Sequence, residues 1–375
     1  MIPYHLAELH INLDAIANNL ALIRQRVDHK TKIMAVLKAD AYGHGALPIA
    51  AFLSSLGIHD FAVAHIFEAI SLRKQGVRGR ILVLQPHFQV KAQDYIDYQL
   101  ECTINSSFDI AYLSQNPPSQ PLNTHLMLDT GMGREGCHHE EAFPLLESIQ
   151  STTFLTLKGI ATHFATADSN LSYALEQWHT FHSLLAQLPP RLLDSLECHA
   201  CNSGGILNLP QAHLDLVRPG ILLFGQYEGL GKPEEQKPAM STWGRVTQVK
   251  FLPKGHPIGY GCTFIMPQSG DVALVSIGYA DGLLRRNHFG GKIRIGTQLF
   301  PIVGAINMDQ LTVLLGNNHH VQPGDQVMIF GDDPELSLSR NAAALGTITY
   351  ERCCQLGSRL PKQYLQGGRP LKLYL

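Results

Sequence analysis

Eight short apolar runs separated by helical patterns fill the first two-thirds of the chain, and this rhythm limits the fold more than any other feature. The runs are Lys32–Lys38, Phe61–His65, Ile81–Leu84, Glu101–Ile104, Thr124–Asp129, Leu157–His163, Leu196–Ala200 and Leu214–Arg218. Most are separated by helical spacing, as in Ala46 to Leu56 and in Trp178, Phe181, Leu185 and Leu188. Strands that alternate with helices imply a parallel sheet, and eight such units imply a closed (β/α)8 TIM barrel. A preceding helix is expected from Asp14 as N-cap through Ile16, Leu20, Ile23 and Val27.

The rhythm changes after the barrel. Tyr227 to Pro238 is rich in Gly, Pro and charge and reads as a linker. Short alternating runs follow at Thr242–Lys250, Val272–Ile277, Lys292–Ile295, Phe300–Val303, Leu311–Leu315 and Gln326–Phe330. Turn residues split them, which is the pattern of an all-β domain, and a helical piece lies near Asn341 to Leu356. The expected division is a barrel over 1–235 and a C-terminal β domain over 236–375, with the amino-terminal strand 4–12 open to joining the second.

Composition excludes several classes. The chain has 375 residues, enough for two domains, and a net charge of −2, which argues against a nucleic-acid or membrane-surface protein. No apolar stretch is long enough to span a bilayer. Met1 to Glu8 lacks the basic start and apolar core of a signal peptide, so a cytoplasmic location is expected. Seven scattered cysteines do not form a disulfide framework. In Cys198-His199-Ala200-Cys201, sulfurs three residues apart on a strand point to opposite faces, which suits neither zinc nor redox chemistry, and no metal site is expected.

Function in such a barrel sits at the carboxyl ends of the strands. Lys38 ends the first strand, inside Ala35-Val36-Leu37-Lys38-Ala39-Asp40-Ala41-Tyr42-Gly43-His44-Gly45. An ammonium beside a buried strand is costly unless paired, neutralised or chemically used, and burial lowers its pKa toward Schiff-base chemistry. A lysine snorkelling at a strand end is the alternative. Arg134 follows the fifth strand, His163 ends the sixth, Asn202-Ser203-Gly204-Gly205 follows the seventh, and Arg218-Pro219-Gly220-Ile221 ends the eighth. The Ser203 and Gly220 turns suit a phosphate, although Ser-Gly-Gly taken alone is better explained as an ordinary helix cap. A lysine together with a phosphate site points to pyridoxal phosphate. Arg218, which can only donate, would leave a pyridine nitrogen unprotonated and weaken the electron sink, as suits returning a proton to the same carbon. Inverting a stereocentre needs bases on two faces, and Lys38 could serve one.

These segments together resemble the alanine racemase family, nearly end to end. Val36 to Gly45 is similar to the family's cofactor-lysine signature, and Asp129-Thr130-Gly131-Met132 with Arg134, and Thr162-His163-Phe164-Ala165, match as well. Ile258-Gly259-Tyr260-Gly261-Cys262-Thr263 resembles the segment carrying the second base; Gly278 to Gly282, Asn307-Met308-Asp309 and Thr349-Tyr350-Glu351 also have counterparts. The resemblance implies interconversion of L- and D-alanine by two-base proton transfer on a pyridoxal phosphate imine, supplying D-alanine for cell-wall precursors. It implies that Lys38 holds the cofactor and serves the D face, while Tyr260 reaches in from the other subunit of a homodimer and serves the L face. His163 would bridge Tyr260 and Arg218. Tyr42, Ser203, Gly220, Ile221 and Tyr350 would hold the phosphate, and Asn202 joins the cofactor-binding set. Arg134 and the backbone at Met308 would meet the substrate carboxylate, and Tyr279 would narrow the entry. A phenol with an ordinary pKa near 10 is a poor base at neutral pH, so cations must assist it. Without the resemblance, Tyr260 reads as a buried strand tyrosine.

Four positions depart from the family pattern. Met127 stands where many members carry a lysine that becomes carbamylated to orient the arginine, so chloride, water or another side chain is expected to hold Arg134. Asn307 replaces a common cysteine, Ala161 a bulkier aromatic and Phe224 a tyrosine. These bear on substrate range and leave a broader, serine or lysine racemase as a rival. A decarboxylase of the same fold and a non-catalytic pyridoxal phosphate carrier are further rivals; Tyr260 and Arg218 argue against the first, and the β domain carrying Tyr260 and Met308 against the second.

Overall fold

The structure is a computed structural model that describes residues 5–85, 88–285, 291–356 and 359–371. Residues 1–4, including the start of the expected strand 4–12, and residues 372–375 lie outside the described residues. Strand β1 (Glu8–Asn12) leads into a helix over Leu13–Arg26. Eight further strands follow: β2 (Lys32–Val36), β3 (Asp60–Val63), β4 (Arg80–Val83), β5 (Glu101–Ile104), β6 (Leu122–Asp129), β7 (Leu155–Ala161), β8 (Glu197–His199) and β9 (Leu216–Val217). They pair in parallel in the order β9-β2-β3-β4-β5-β6-β7-β8. Two backbone bonds close the ring, from Asp215 N–H to the Cys198 carbonyl at 3.1 Å and from Arg218 N–H to the Cys201 carbonyl at 2.9 Å.

The eight expected strands are all present; Glu101–Ile104 keeps its expected bounds and the other seven shift by a residue or more at one end or both. The helix Leu171–Leu185 turns Trp178, Phe181 and Leu185 inward, and Leu188 just beyond it is buried too. One cap differs from expectation. Asn12, not Asp14, caps the first helix, its side chain accepting from the Asp14 and Ala15 amides. Asp14 falls in the first turn and accepts from the Gly367 amide at 2.6 Å.

The C-terminal region is antiparallel. Its strands are β10 (Met240–Leu252), β11 (Gly270–Val275), β12 (Lys292–Ile295), β13 (Gln298–Val303), β14 (Leu311–Gly316) and β15 (Gln326–Phe330). They pair in the order β11-β14-β13-β12-β15-β10, and β10 pairs back with β11, so the six strands form a ring. The 13-residue β10 serves both neighbours by shifting register between Val246 and Gln248 and between Thr242 and Trp243. β1 joins this sheet, antiparallel to β10 and parallel to β16 (Lys362–Gln366), with Leu9 and Ile11 fully buried. The expected helical piece is two helices, Leu338–Ala344 and Thr349–Gln355, divided where Gly346 turns left-handed. The Tyr364 hydroxyl donates to the His44 carbonyl at 2.9 Å and the Thr349 hydroxyl to the Gln226 carbonyl at 2.6 Å, tying this region to the barrel mouth. No helix among the described residues is long and apolar enough to cross a membrane.

Candidate active site

A cavity of about 280 Å³ opens at the carboxyl ends of the barrel strands. Lys38, Tyr42, Arg134, His163, Asn202, Ser203, Arg218, Gly220, Ile221 and Tyr350 all line it. They come from separate strand ends and from the helix Thr349–Gln355, so the fold brings together ten of the thirteen expected site residues.

Lys38 does not end a strand as expected. β2 stops at Val36, and Lys38 opens a turn in which Ala39, Asp40, Ala41 and Tyr42 all have φ between 52° and 54°. Left-handed turns cost L-residues about 1–2 kcal/mol each, so this one must be held from outside. The Glu68 carboxylate accepts from the Ala39 amide at 2.7 Å and from the Ala64 and His65 amides at 2.9 Å. Asp40 accepts from the Ala46 amide at 2.7 Å. The half-buried Lys38 forms no ion pair with a described residue. Burial lowers its pKa and the Arg134 charge adds to this, against Glu135 and Glu68. Its amine is thereby shifted toward the nucleophilic form.

Arg218 lies just past β9, is almost fully buried, and is satisfied by acceptors. Its Nη2 donates to the Thr162 carbonyl at 2.7 Å and the Ala200 carbonyl at 3.2 Å, and its Nη1 contacts His199 Nδ1. Burial pulls its pKa down to about 10, which leaves it charged at neutral pH. His163 Nδ1 lies 3.4 Å from Arg218 Nη2, and its Nε2 lies 3.2 Å from Asn202 Nδ2. The Asn202 amide is oriented by the Gly205 amide and the Phe164 carbonyl. Burial first, then the charges of Arg218, Arg134 and Lys38, hold the His163 pKa well below its ordinary value, so this ring is neutral.

The turns expected to take an anion meet as a cradle. Asn202, rather than Ser203, caps the short helix that follows β8. That frees the Ser203 hydroxyl oxygen, which accepts from the Gly220 and Leu222 amides, each at 3.3 Å. A methyl group on Gly220 would stand 2.3 Å from the Tyr42 hydroxyl oxygen, so any side chain here must displace Tyr42 or the loop. The Tyr42 ring centre lies 6.1 Å from that of Tyr350. Burial pushes both phenols well above their ordinary pKa, so both remain hydrogen-bond donors.

Arg134 stands on a loop tightened by Asp129. Burial raises the Asp129 carboxyl, but bonds from the Gly131, Gly133 and Met132 amides outweigh it and keep it below the usual range. The charged neighbour of Arg134 is Glu135, at 3.6 Å, and the buried Met127 thioether lines the same cavity.

Tyr260, Tyr279 and Met308 do not line this cavity. They stand on adjoining loops of the C-terminal region, 73%, 41% and 53% exposed, so Tyr260 is not the buried strand residue its local sequence predicts. Tyr279 N–H donates to the Asn307 carbonyl and Ala280 N–H to the Met308 carbonyl, both at 3.0 Å. Sequence reasoning missed Glu68 and Glu135, and also Gln177, which donates to the His163 carbonyl at 3.1 Å.

Residues 11–228 match the model of the alanine racemase N-terminal domain, and residues 239–364 that of the alanine racemase C-terminal domain. The chain belongs to the alanine racemase family. It is 38% identical over 369 residues to an alanine racemase of Desulforamulus reducens, covering 95% of this chain and 98% of the relative. It is 36% identical to one from Chlorobaculum tepidum, covering 95% and 94%. Among solved structures, the alanine racemase from Bacillus anthracis with bound L-Ala-P superposes with a TM-score of 0.91 at 31% identity, covering 98% and 97%. The alanine racemase from E. faecalis superposes at 0.89 with 33% identity, covering 96% and 99%. The family's barrel and antiparallel C-terminal domain are therefore both present here.

Proposed function

We propose that this isomerase interconverts L- and D-alanine with pyridoxal phosphate in the barrel cavity and its second base supplied by a partner subunit. The observation that carries this reading is the joining of Lys38, without an ion-pair partner among the described residues, to a donor-only Arg218 and the Ser203–Gly220–Tyr42 cradle around one cavity.

The residues fit the cofactor. A Cβ at Gly220 would fill the cradle, and the Gly220 and Leu222 amides, Ser203, Tyr42, Ile221 and Tyr350 would hold its phosphate. Lys38 would hold the aldehyde carbon, Arg218 would donate to the ring nitrogen, and Asn202 and His163 would flank the ring. When bound, pyridoxal phosphate supplies a carbonyl for the substrate amine and an electron-withdrawing ring that acidifies the Cα–H.

The chain's own groups do the rest. Lys38, its pKa lowered by burial, takes or returns the Cα proton on the D face. Tyr260 does so on the L face. Its exposure, with Tyr279 and Met308 beside it, supports a homodimer in which this face covers the partner's cavity. His163 links the incoming phenol to the charged Arg218, while Arg134 and the Met308 amide take the substrate carboxylate and Tyr279 narrows the entry. A cytoplasmic site of action and a role in supplying D-alanine for cell-wall precursors follow from this reading.

The test is circular-dichroism polarimetry of the purified protein with pyridoxal phosphate on L-alanine, L-serine and L-lysine separately. Rapid loss of signal with alanine alone is expected. Faster loss with serine or lysine would reassign the substrate to a pocket reshaped at Met127, Ala161 and Asn307. No loss with any would overturn the racemase reading.

A further inference from the structure

Arg218 is one end of a buried hydrogen-bonded chain that runs through the barrel interior. Its Nη1 contacts His199 Nδ1; His199 Nε2 lies 2.9 Å from His125 Nδ1; His125 Nε2 lies 3.1 Å from Glu101 Oε2. Both imidazoles are fully buried. The His125 ring also has a place made for it on the adjoining strand, where a methyl group on Gly159 would stand 2.4 Å from His125 Nδ1. At the far end Glu101 accepts from Asn123 at 3.3 Å, and Arg80, itself paired with Asp60 and Glu197, lies 4.0 Å away.

The chemistry of the two ends sets the direction of every bond between them. A guanidinium has no acceptor, so His199 Nδ1 must be bare and the His199 proton must sit on Nε2. That proton needs an acceptor, which makes His125 Nδ1 bare and puts the His125 proton on Nε2. An ionised carboxylate only accepts, and Glu101 stands there to receive it. A doubly protonated ring at either position would set donor against donor. Each proton therefore points from the cavity toward Glu101.

We propose that His125 and Glu101 are positioning residues for Arg218. Through His199 they hold one edge of its guanidinium inward and keep the group a fixed donor toward the cavity. Their effect on turnover rests on the racemase reading, but the proton arrangement does not.

The test has two arms. In cofactor-free protein labelled with 15N-histidine, two-bond 15N–1H spectra at neutral pH are expected to show His199 and His125 as neutral rings protonated at Nε2. His125→Asn assigns the peaks, and its amide oxygen still accepts, so the His199 pattern should persist. A proton on His199 Nδ1, or a doubly protonated ring, would overturn the relay even if the protein racemises alanine perfectly well. In the second arm, His125→Leu should lower kcat about tenfold with KM within about twofold, and His125→Asn should recover most of the loss. Equal kcat in the two variants would overturn the positioning role. Should the leucine variant not fold, the wild-type spectrum and the asparagine variant still decide. Failure of the racemase reading would appear as absent turnover with an intact Nε2–H pattern.

Discussion

The His44 imidazole lies stacked on the Phe224 ring, 4.3 Å between centroids and tilted by 22°. The ring is fully buried, its Nδ1 reaches the Ala41 and Tyr42 carbonyls at 3.0 Å, and burial lowers its pKa to about 4 from 6.5. Nδ1 therefore carries the proton of a neutral ring. As pH falls below about 6.5 the unfolded chain takes up a proton that the folded chain refuses until about pH 4, so stability is lost across that window. The loss at its lower end is about 3 kcal/mol. The part-buried His163 and the fully buried His199 act in the same direction. Urea unfolding at a series of pH values should show this decline, and His44→Gln should flatten it. An unchanged pH slope in the variant would remove His44 from the account.

Gly220→Ala should weaken the cofactor site without unfolding the barrel. The added methyl must displace the Tyr42 hydroxyl or the loop that carries Gly220. Overpacking of this kind costs about 1–3 kcal/mol, or roughly five- to 150-fold in affinity for pyridoxal phosphate. Absorbance titration of the cofactor-free variant measures this directly, and wild-type affinity would refute the cradle.

Mixing two inactive variants tests the shared site. Lys38→Ala and Tyr260→Phe homodimers should each have little activity. After dissociation and random reassociation, half the dimers are hybrids with one intact site of two, so activity should return to about one quarter of wild type. No recovery, with hybrid dimers demonstrated by mass, would mean that the two residues act within one chain.

Glu135→Gln tests what steadies Arg134 in the absence of a lysine at 127. The pair is 3.6 Å apart and the arginine side chain is 46% exposed, so the contact is weak. Exposed pairs contribute about 0.2–1 kcal/mol, which sets the expected rise in the KM for alanine at no more than about fivefold. A matching rise on replacing chloride with a bulky organic anion would transfer the role to halide.

The barrel was legible because eight apolar runs at regular intervals leave few other topologies, and strand identity survived shifts of a residue or more at the ends. The turn after β2 was not. Lys38-Ala39-Asp40-Ala41-Tyr42 contains no glycine, and its left-handed path is held by Glu68, far along the chain and on another helix. Asn12 and Asp14 are both good helix caps, and the choice between them follows from where β1 ends its pairing with β10 and β16. Tyr260 misled for a related reason. An aromatic among small apolar residues reads as core, whereas this one stands exposed on its own chain. The relay below Arg218 escaped notice because His125 and Glu101 lie on neighbouring strands, and parallel pairing rather than sequence proximity joins them.

The seating of β1 between β10 and β16 imposes an order of events on a growing polypeptide. Glu8–Asn12 leaves the ribosome well before its partners Met240–Leu252 and Lys362–Gln366, which are made only after the whole barrel. At ordinary synthesis rates that delay is roughly ten to seventy seconds. Throughout it Leu9 and Ile11, fully buried in the finished fold, stand on a strand with two open edges. The barrel can assemble as it is made, but β1 cannot be seated until β10 and β16 have emerged, and through that interval this short segment is the one a nascent-chain chaperone would shield.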